Sequence, residues 1–357
     1  MSRFPGCKTI LKKQRGITAI PMAILLTMFL GFAAMAVDVG HVMVTRNDLQ
    51  NIADATSLAG ARWLGAQYEG MTYEEQKAYV CDPSAIQTII QDVAQNSFAG
   101  GQQGITINLG DIRIGQWNPD ATPRLTETLN QPDAVSVTVR RDGGANGPIS
   151  TVFARVFSVD EANLAADATA ALTGESTAGD GELDIPVGIS KKWFEKPEFC
   201  NQPIKFYPTG TLDGCAGWNV FTNPPANASK LKKIIDGMEA GTFQSPETVA
   251  GDTQFEFIGG NIANQLCNMK DLFDLRKVEE PPYDEWTTHV VVYDWEDCSN
   301  PNTNITIVGF ATAIIKNVVC PPAGQEITAI VICDNSEPGR GGGGNYGTKG
   351  SIPGLVE

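Results

Sequence analysis

Two histidines, His41 and His289, and eight cysteines are the side chains best suited to acid–base, nucleophilic or metal chemistry in this 357-residue chain. Their spacing builds none of the usual constellations. No His-Glu-x-x-His pair offers a zinc site, and no Gly-x-Ser-x-Gly presents a serine on a sharp strand-to-helix turn. The nearest approach, Gly188-Ile189-Ser190-Lys191-Lys192, fails at its fifth residue. The stretch GGGGNYGTKG, residues 341–350, has Thr348 where a phosphate-cradling loop needs its lysine. DWEDCSNPNTN, Asp294 to Asn304, gathers carboxylates and amides of the kind that hold calcium. It lacks the loop glycine and the closing bidentate glutamate, so it reads as a turn between strands. No catalytic residue, cofactor or metal site is therefore expected, and no small-molecule substrate.

The cysteines read instead as staples. Cys7 lies in a basic leader, whereas Cys81, Cys200, Cys215, Cys267, Cys298, Cys320 and Cys333 follow an apolar run and would be exported, where disulfides persist. Seven is odd, and Cys81 is the one set apart from the six in the C-terminal half. No Cys-x-x-Cys occurs, which argues against redox and zinc motifs. Three disulfides are expected within residues 200–333. The simplest pairing joins sequence neighbours, Cys200 with Cys215, Cys267 with Cys298 and Cys320 with Cys333. Six cysteines nonetheless allow fifteen connectivities.

Charge explains why the run is an anchor. The chain carries 26 basic and 41 acidic side chains, a net −15. Five of the bases (Arg3, Lys8, Lys12, Lys13 and Arg15) lie in the first 15 residues with no acid, which leaves 21 against 41 in the remainder. A body that acidic repels phosphate backbones and anionic lipid headgroups, so no nucleic-acid partner is expected. Ile17 to Val37 is an uncharged run, ITAIPMAILLTMFLGFAAMAV. About 20 apolar residues cross a hydrocarbon core roughly 30 Å thick. A cleaved signal peptide has a shorter apolar region, although Ala33-Ala34-Met35-Ala36 has the small residues of a cleavage site. The run is expected to be an uncleaved transmembrane helix over 17–37, with residues 1–16 a cytoplasmic basic leader and the bulk of the chain outside.

The helical pattern does not stop at the membrane. Leu49, Ile52, Ala53, Thr56, Gly60 and Trp63 keep a narrow stripe whose small members allow close approach of another element. The stripe serves either as an intermolecular face or as a stalk docking on its own domain. Asp38, at the outer boundary, is either a snorkelling residue or an interhelical hydrogen-bond acceptor. A second helix is signalled after Asp82 as cap, with Pro83 in its first turn and Ile86, Ile89, Ile90 and Val93 on one face. The period then switches to two through Ile105, Ile107, Leu109, Ile112 and Ile114, through Val135, Val137 and Val139, and through residues 164–172.

The resulting fold class is α+β: a transmembrane helix continuing into a helical stalk, an exported α+β domain over 38–172, and a disulfide-stapled β-rich domain over 185–336. Residues 173–184 read as a polar linker, and 337–357 as a disordered glycine-rich tail. In the second domain, Ser229 would cap a short helix through Leu231, Ile234, Ile235 and Met238. NITIVGFATAIIKNVVC and EITAIVIC read as central strands covered on both faces.

Residues Arg15 to Ala61, RGITAIPMAILLTMFLGFAAMAVDVGHVMVTRNDLQNIADATSLAGA, resemble the TadE/TadG-like family of Flp pilus-assembly proteins of the tight-adherence machinery. A basic-Gly start, an apolar helix, Val-Asp-x-Gly at its exit, then Leu-Gln-Asn-x-Ala-Asp-Ala and Leu-Ala-Gly-Ala carry the resemblance. PDAVSVTVRRDG, ISTVFARVF and LAADATAAL resemble the sheet region of longer members. Pseudopilins of this family are trimmed after a glycine that has glutamate five residues on. Gly16 here is followed at that place by Pro21, so the chain resembles the unprocessed TadG branch. The metal site of some TadG proteins, Asp-x-Ser-x-Ser, is not matched by Asp334-Asn335-Ser336-Glu337-Pro338.

The resemblance implies a single-pass protein of the bacterial inner membrane, with its bulk periplasmic or extracellular, acting as a structural or assembly component of a Flp-type pilus or related secretion system. Its partners would be other membrane-anchored pilus-assembly components or a second copy, met through Asp38, Leu49, Ala53, Thr56 and Gly60. The alternative is a surface binding module or adhesin presenting Trp193, Trp218, Trp286 and Trp295.

Overall fold

The computed structural model describes residues 19–196, 198–206, 211–258, 265–280, 283–299 and 301–357. The basic leader, Cys7, Gly16 and the first two residues of the apolar run lie outside the described residues. The chain opens with one helix, α1 (Ala19–Tyr68), of 50 residues, about 75 Å long at 1.5 Å per residue. Pro21 sits in its first turn, where a missing N–H costs no helical bond. A short helix, α2 (Tyr73–Ala78), follows, closed by a capping box in which Thr72 and Glu75 satisfy each other's backbone N–H. In α3 (Pro83–Gln95) the Asp82 side chain accepts from the Ser84 N–H, the cap read from the sequence.

The outer half of α1 lies on an antiparallel sheet. Its strands are β1 (Ile112–Trp117), β2 (Leu125–Glu127), β3 (Ala134–Arg141) and β4 (Leu164–Ala171), with β3 between β1 and β4. The register explains the fit. Val135, Val137 and Val139 stand opposite Ala170, Ala168 and Ala166, so one face carries a row of valines beside a row of alanines. Those alanines leave room for a helix, and Leu49, Ile52, Ala53, Ala61 and Leu64 fill it together with Ile86 and Ile90 of α3. Residues 105–108, expected to continue the alternation, are not a strand. Ile105 and Ile107 are buried in irregular chain held by Gln91, whose side chain accepts from the Ile107 N–H.

The second unit is a mixed sheet in the order β6 (Gln202–Lys205), β11 (Glu326–Ile332), β10 (Asn304–Val319), β9 (Tyr283–Tyr293), β5 (Val187–Ser190), β7 (Ala216–Trp218), with β8 (Gln254–Glu256) also on β10. β10 and β11 are central, as their continuous apolar runs required. Helices α4 (Ala228–Glu239) and α5 (Gln265–Arg276) pack on each other and contribute to the core. Asn227, rather than Ser229, caps α4 through the Lys230 N–H.

Two sequence expectations are corrected here. Residues 173–184 are not a free linker: Thr177–Ala178 pairs with Thr248–Val249, and Glu175 is fully buried. Residues 337–357 are not a disordered tail. Strand β12 (Asn335–Arg340) runs parallel to β13 (Thr348–Ile352), and β14 (Gly354–Leu355) pairs with Ala170–Ala171 as the edge strand of the first sheet. The glycines mistaken for a disorder signal permit close backbone packing. A Cβ on Gly343 would overlap the carbonyl of Glu175.

The cysteine pairing is also corrected. The disulfides join Cys200 to Cys333, Cys215 to Cys298 and Cys267 to Cys320, with Cα–Cα distances of 5.4, 4.3 and 5.0 Å. Neighbours in sequence are separated by the sheet order, and Cys200, just before β6, meets Cys333, just after β11, because those strands pair. Cys81 is free and buried, as the odd count implied.

Candidate functional site at the exit of the apolar helix

The first half of α1 is long and apolar enough to cross a membrane, and none of its apolar window is buried in the protein. Its exposed apolar surface does not stop at Val37. Val39, Met43 and Val44 continue it, and Arg46 is the next exposed cation. Asp38 falls within this stretch and is only 7% exposed. Its carboxylate accepts three backbone hydrogen bonds, from the N–H of Val152 at 2.9 Å, of Phe153 at 2.8 Å and of Ala154 at 2.6 Å. These amides open a 3₁₀ turn, Ala154–Phe157, whose first N–H groups have no partner within the turn. All three of these bonds to Asp38 come from the chain's own loop and none from another helix. Asp38 ties a loop 114 residues away to the point where α1 leaves its apolar span.

That loop, between the paired segments Ile149–Ser150 and Glu161–Ala162, is unusual in what it exposes. Val152, Phe153, Val156, Phe157 and Val159 all face outward, with Val156 83% exposed and Phe157 67%. By resemblance ISTVFARVF was expected to belong to the sheet region, but only Ile149–Ser150 is strand and the rest is this loop with its 3₁₀ turn. The signal that could have found it is the density of apolar residues beside a residue that binds the membrane-exit carboxylate.

The other residues expected to meet a partner are occupied by the chain itself. Leu49, Ala53 and Thr56 are fully buried. A Cβ on Gly60 would lie 3.0 Å from Val135 Cγ1 and 3.3 Å from Ile86 Cγ2. The Thr56 hydroxyl donates to the Ile52 carbonyl at 2.7 Å. The stripe from Leu49 to Gly60 packs on the chain's own sheet and α3, in keeping with the second of the two readings. Of the tryptophans offered for an adhesin, Trp193, Trp218 and Trp286 are buried in the second core, and Trp295 packs against it half-buried.

Polar chemistry elsewhere is structural. Two of the three carboxylates of the acidic turn 294–304 face a cation of the chain, Lys191 Nζ lying 2.6 Å from Asp294 and 2.7 Å from Glu296, while Asp297 accepts from the Ser299 N–H. No cluster of three metal-ligating side chains occurs among the described residues. His289 and Glu175, both buried, approach to 2.7 Å. Burial pushes the Glu175 carboxyl up to about 7 against the pull of His289. A cleft of about 650 Å³ lies between the far end of α1 and the second unit, with Tyr68, Tyr73, Arg276 and Trp286 among its walls.

Two family models match. Residues 16–62 match the model described as "Putative Flp pilus-assembly TadE/G-like", and residues 59–170 match that described as "Putative Tad-like Flp pilus-assembly". The first covers most of α1, and the second covers its end, α3 and the sheet beneath it. No curated protein and no solved structure matches the chain.

Proposed function

We propose that this chain, whose residues 16–62 match the TadE/G-like and residues 59–170 the Tad-like Flp pilus-assembly model, is a non-enzymatic assembly component held in the bacterial inner membrane by a single span. The N-terminus lies in the cytoplasm and the bulk of the chain outside, as the basic leader requires. The observation that carries this reading is the continuity of α1: one helix is apolar and uncovered over its first half and packed on a sheet over its second. Three disulfides accord with an oxidising compartment. Because the helix stripe is filled by the chain's own sheet, contact with other membrane-anchored components or a second copy falls to the uncovered part of α1. The test is deletion of the gene and complementation, scored by surface pili and by co-purification from detergent-solubilised membranes. Restored pili and recovery of other pilus-assembly components support the proposal. Normal piliation in the deletion strain would refute it.

A further inference from the structure

We infer that the loop 151–159 is a second membrane contact, an apolar hook that enters the lipid interface beside α1 and fixes the exported body against the bilayer. The inference rests on the anchoring proposed above and extends it to a part of the chain far away in sequence.

Three observations converge on the loop. Its position is set by Asp38, the first charged residue after the apolar run, through the three amide hydrogen bonds from Val152, Phe153 and Ala154. It lies below the rest of the exported body. The lower end of the sheet is marked by Arg141, whose guanidinium donates to the carbonyls of Ala99 and Gly100, and Gly100 packs on Thr45. Asp38 is seven residues, about 10 Å, nearer the span than Thr45. Its side chains are of the wrong kind for water: Val152, Val156 and Phe157 are each at least 65% exposed. Such a cluster on a soluble surface marks a contact with a protein or a membrane.

Lipid is the occupant because the apolar surface is continuous with the span. Val39, Met43 and Val44 of α1 extend the uncovered apolar face to the same level as the loop. A loop cannot enter the hydrocarbon core with open backbone groups, but the interface tolerates one whose amides are already satisfied. Asp38 supplies that satisfaction for three consecutive N–H groups. Arg155, exposed among the apolar side chains, can reach phosphates as a snorkelling cation.

The test uses the full-length protein in phospholipid nanodiscs, with p-benzoylphenylalanine placed singly at Phe29, Phe157 or Val278. Phe29 lies within the span. Val278 is 62% exposed but shares a cleft with Tyr68, about 45 Å along α1 from Asp38. After irradiation, mass spectrometry should find lipid adducts at Phe29 and Phe157 and none at Val278. Lipid adducts at Phe29 without any at Phe157, or cross-links from Phe157 to protein alone, would overturn the hook while leaving the anchor standing. Absence of lipid adducts at Phe29 would overturn both.

Discussion

Gly65 of α1 and Ser351 of β13 pack backbone against backbone. A Cβ on Gly65 would overlap the Ser351 carbonyl, which also accepts from Arg62 Nη1 at 3.2 Å. The contact explains why the C-terminal segment is ordered: it is clamped between α1 and the second unit, and Lys349 Nζ lies 2.8 Å from Asp133, just before β3 of the first sheet, and 2.9 Å from Asp334. Gly65→Ala should favour an isolated helix by about 1 kcal/mol yet destabilise the protein by about 1–3 kcal/mol through overpacking. Thermal melting should show a lower Tm, with earlier proteolysis near residue 350. Gly40→Ala, where a Cβ meets nothing within 4 Å, should not lower the Tm.

Asp38→Ala should free the loop without unfolding the body. Hydrogen exchange at the amides of Val152, Phe153 and Ala154 is expected to accelerate, while the amides of β3 and β4 stay protected. Unchanged exchange at those three positions would count against the tie.

Gly60→Leu should lower the Tm of the whole protein, by about 1–3 kcal/mol of overpacking, because the new side chain meets Val135, Ile86 and Ile90. Loss of partner binding at unchanged Tm would instead restore an intermolecular role for this face.

Stability should fall as pH rises through the range in which Glu175 and His289 lose protons. Burial raises Glu175 from 4.5 to about 7, with His289 opposing. Burial also acts against a charged His289, but Glu175, Glu337 and Glu182 hold its pKa above 6.5. Asp184, itself raised by burial, faces the same histidine. Groups with raised pKa bind protons more tightly folded than unfolded. Their contribution is complete below about pH 4.5 for Glu175 and below about 6.5 for His289. It is lost as pH climbs through about 7 for Glu175 and through the raised pKa of His289. The Tm should drop between mildly acidic and mildly alkaline buffer, and Glu175→Gln/His289→Gln should flatten that dependence.

Non-reducing peptide mapping should recover Cys200–Cys333, Cys215–Cys298 and Cys267–Cys320. Replacing Cys200 and Cys333 by serine opens a link between residues 133 apart in sequence and should cost about 2–5 kcal/mol.

Much of this molecule was legible in its residues. The helix of the uncharged run from Ala19 on, Asp82 before Pro83, the strand of the valine alternation, the central places of β10 and β11, and six cysteines set against a lone Cys81 all reached the structure, though β11 is buried fully on one face only. Each of those signals is local: a period, a cap, a length or a parity. What covers the stripe at Leu49 and Gly60, which cysteine meets Cys333, and where the glycine-rich C-terminus goes are matters of who lies beside whom. Periodicity marks a face to be buried but does not name its neighbour, since a row of alanines in β4 and a partner's helix would satisfy the same small residues. Gly343 reads as flexibility in one dimension and as close contact in three, because the backbone that excludes a Cβ comes from distant sequence. Asp38 makes the same point at the membrane exit: its position was plain in the chain, and its three amide partners existed only once the sheet had carried residues 152–154 back to it.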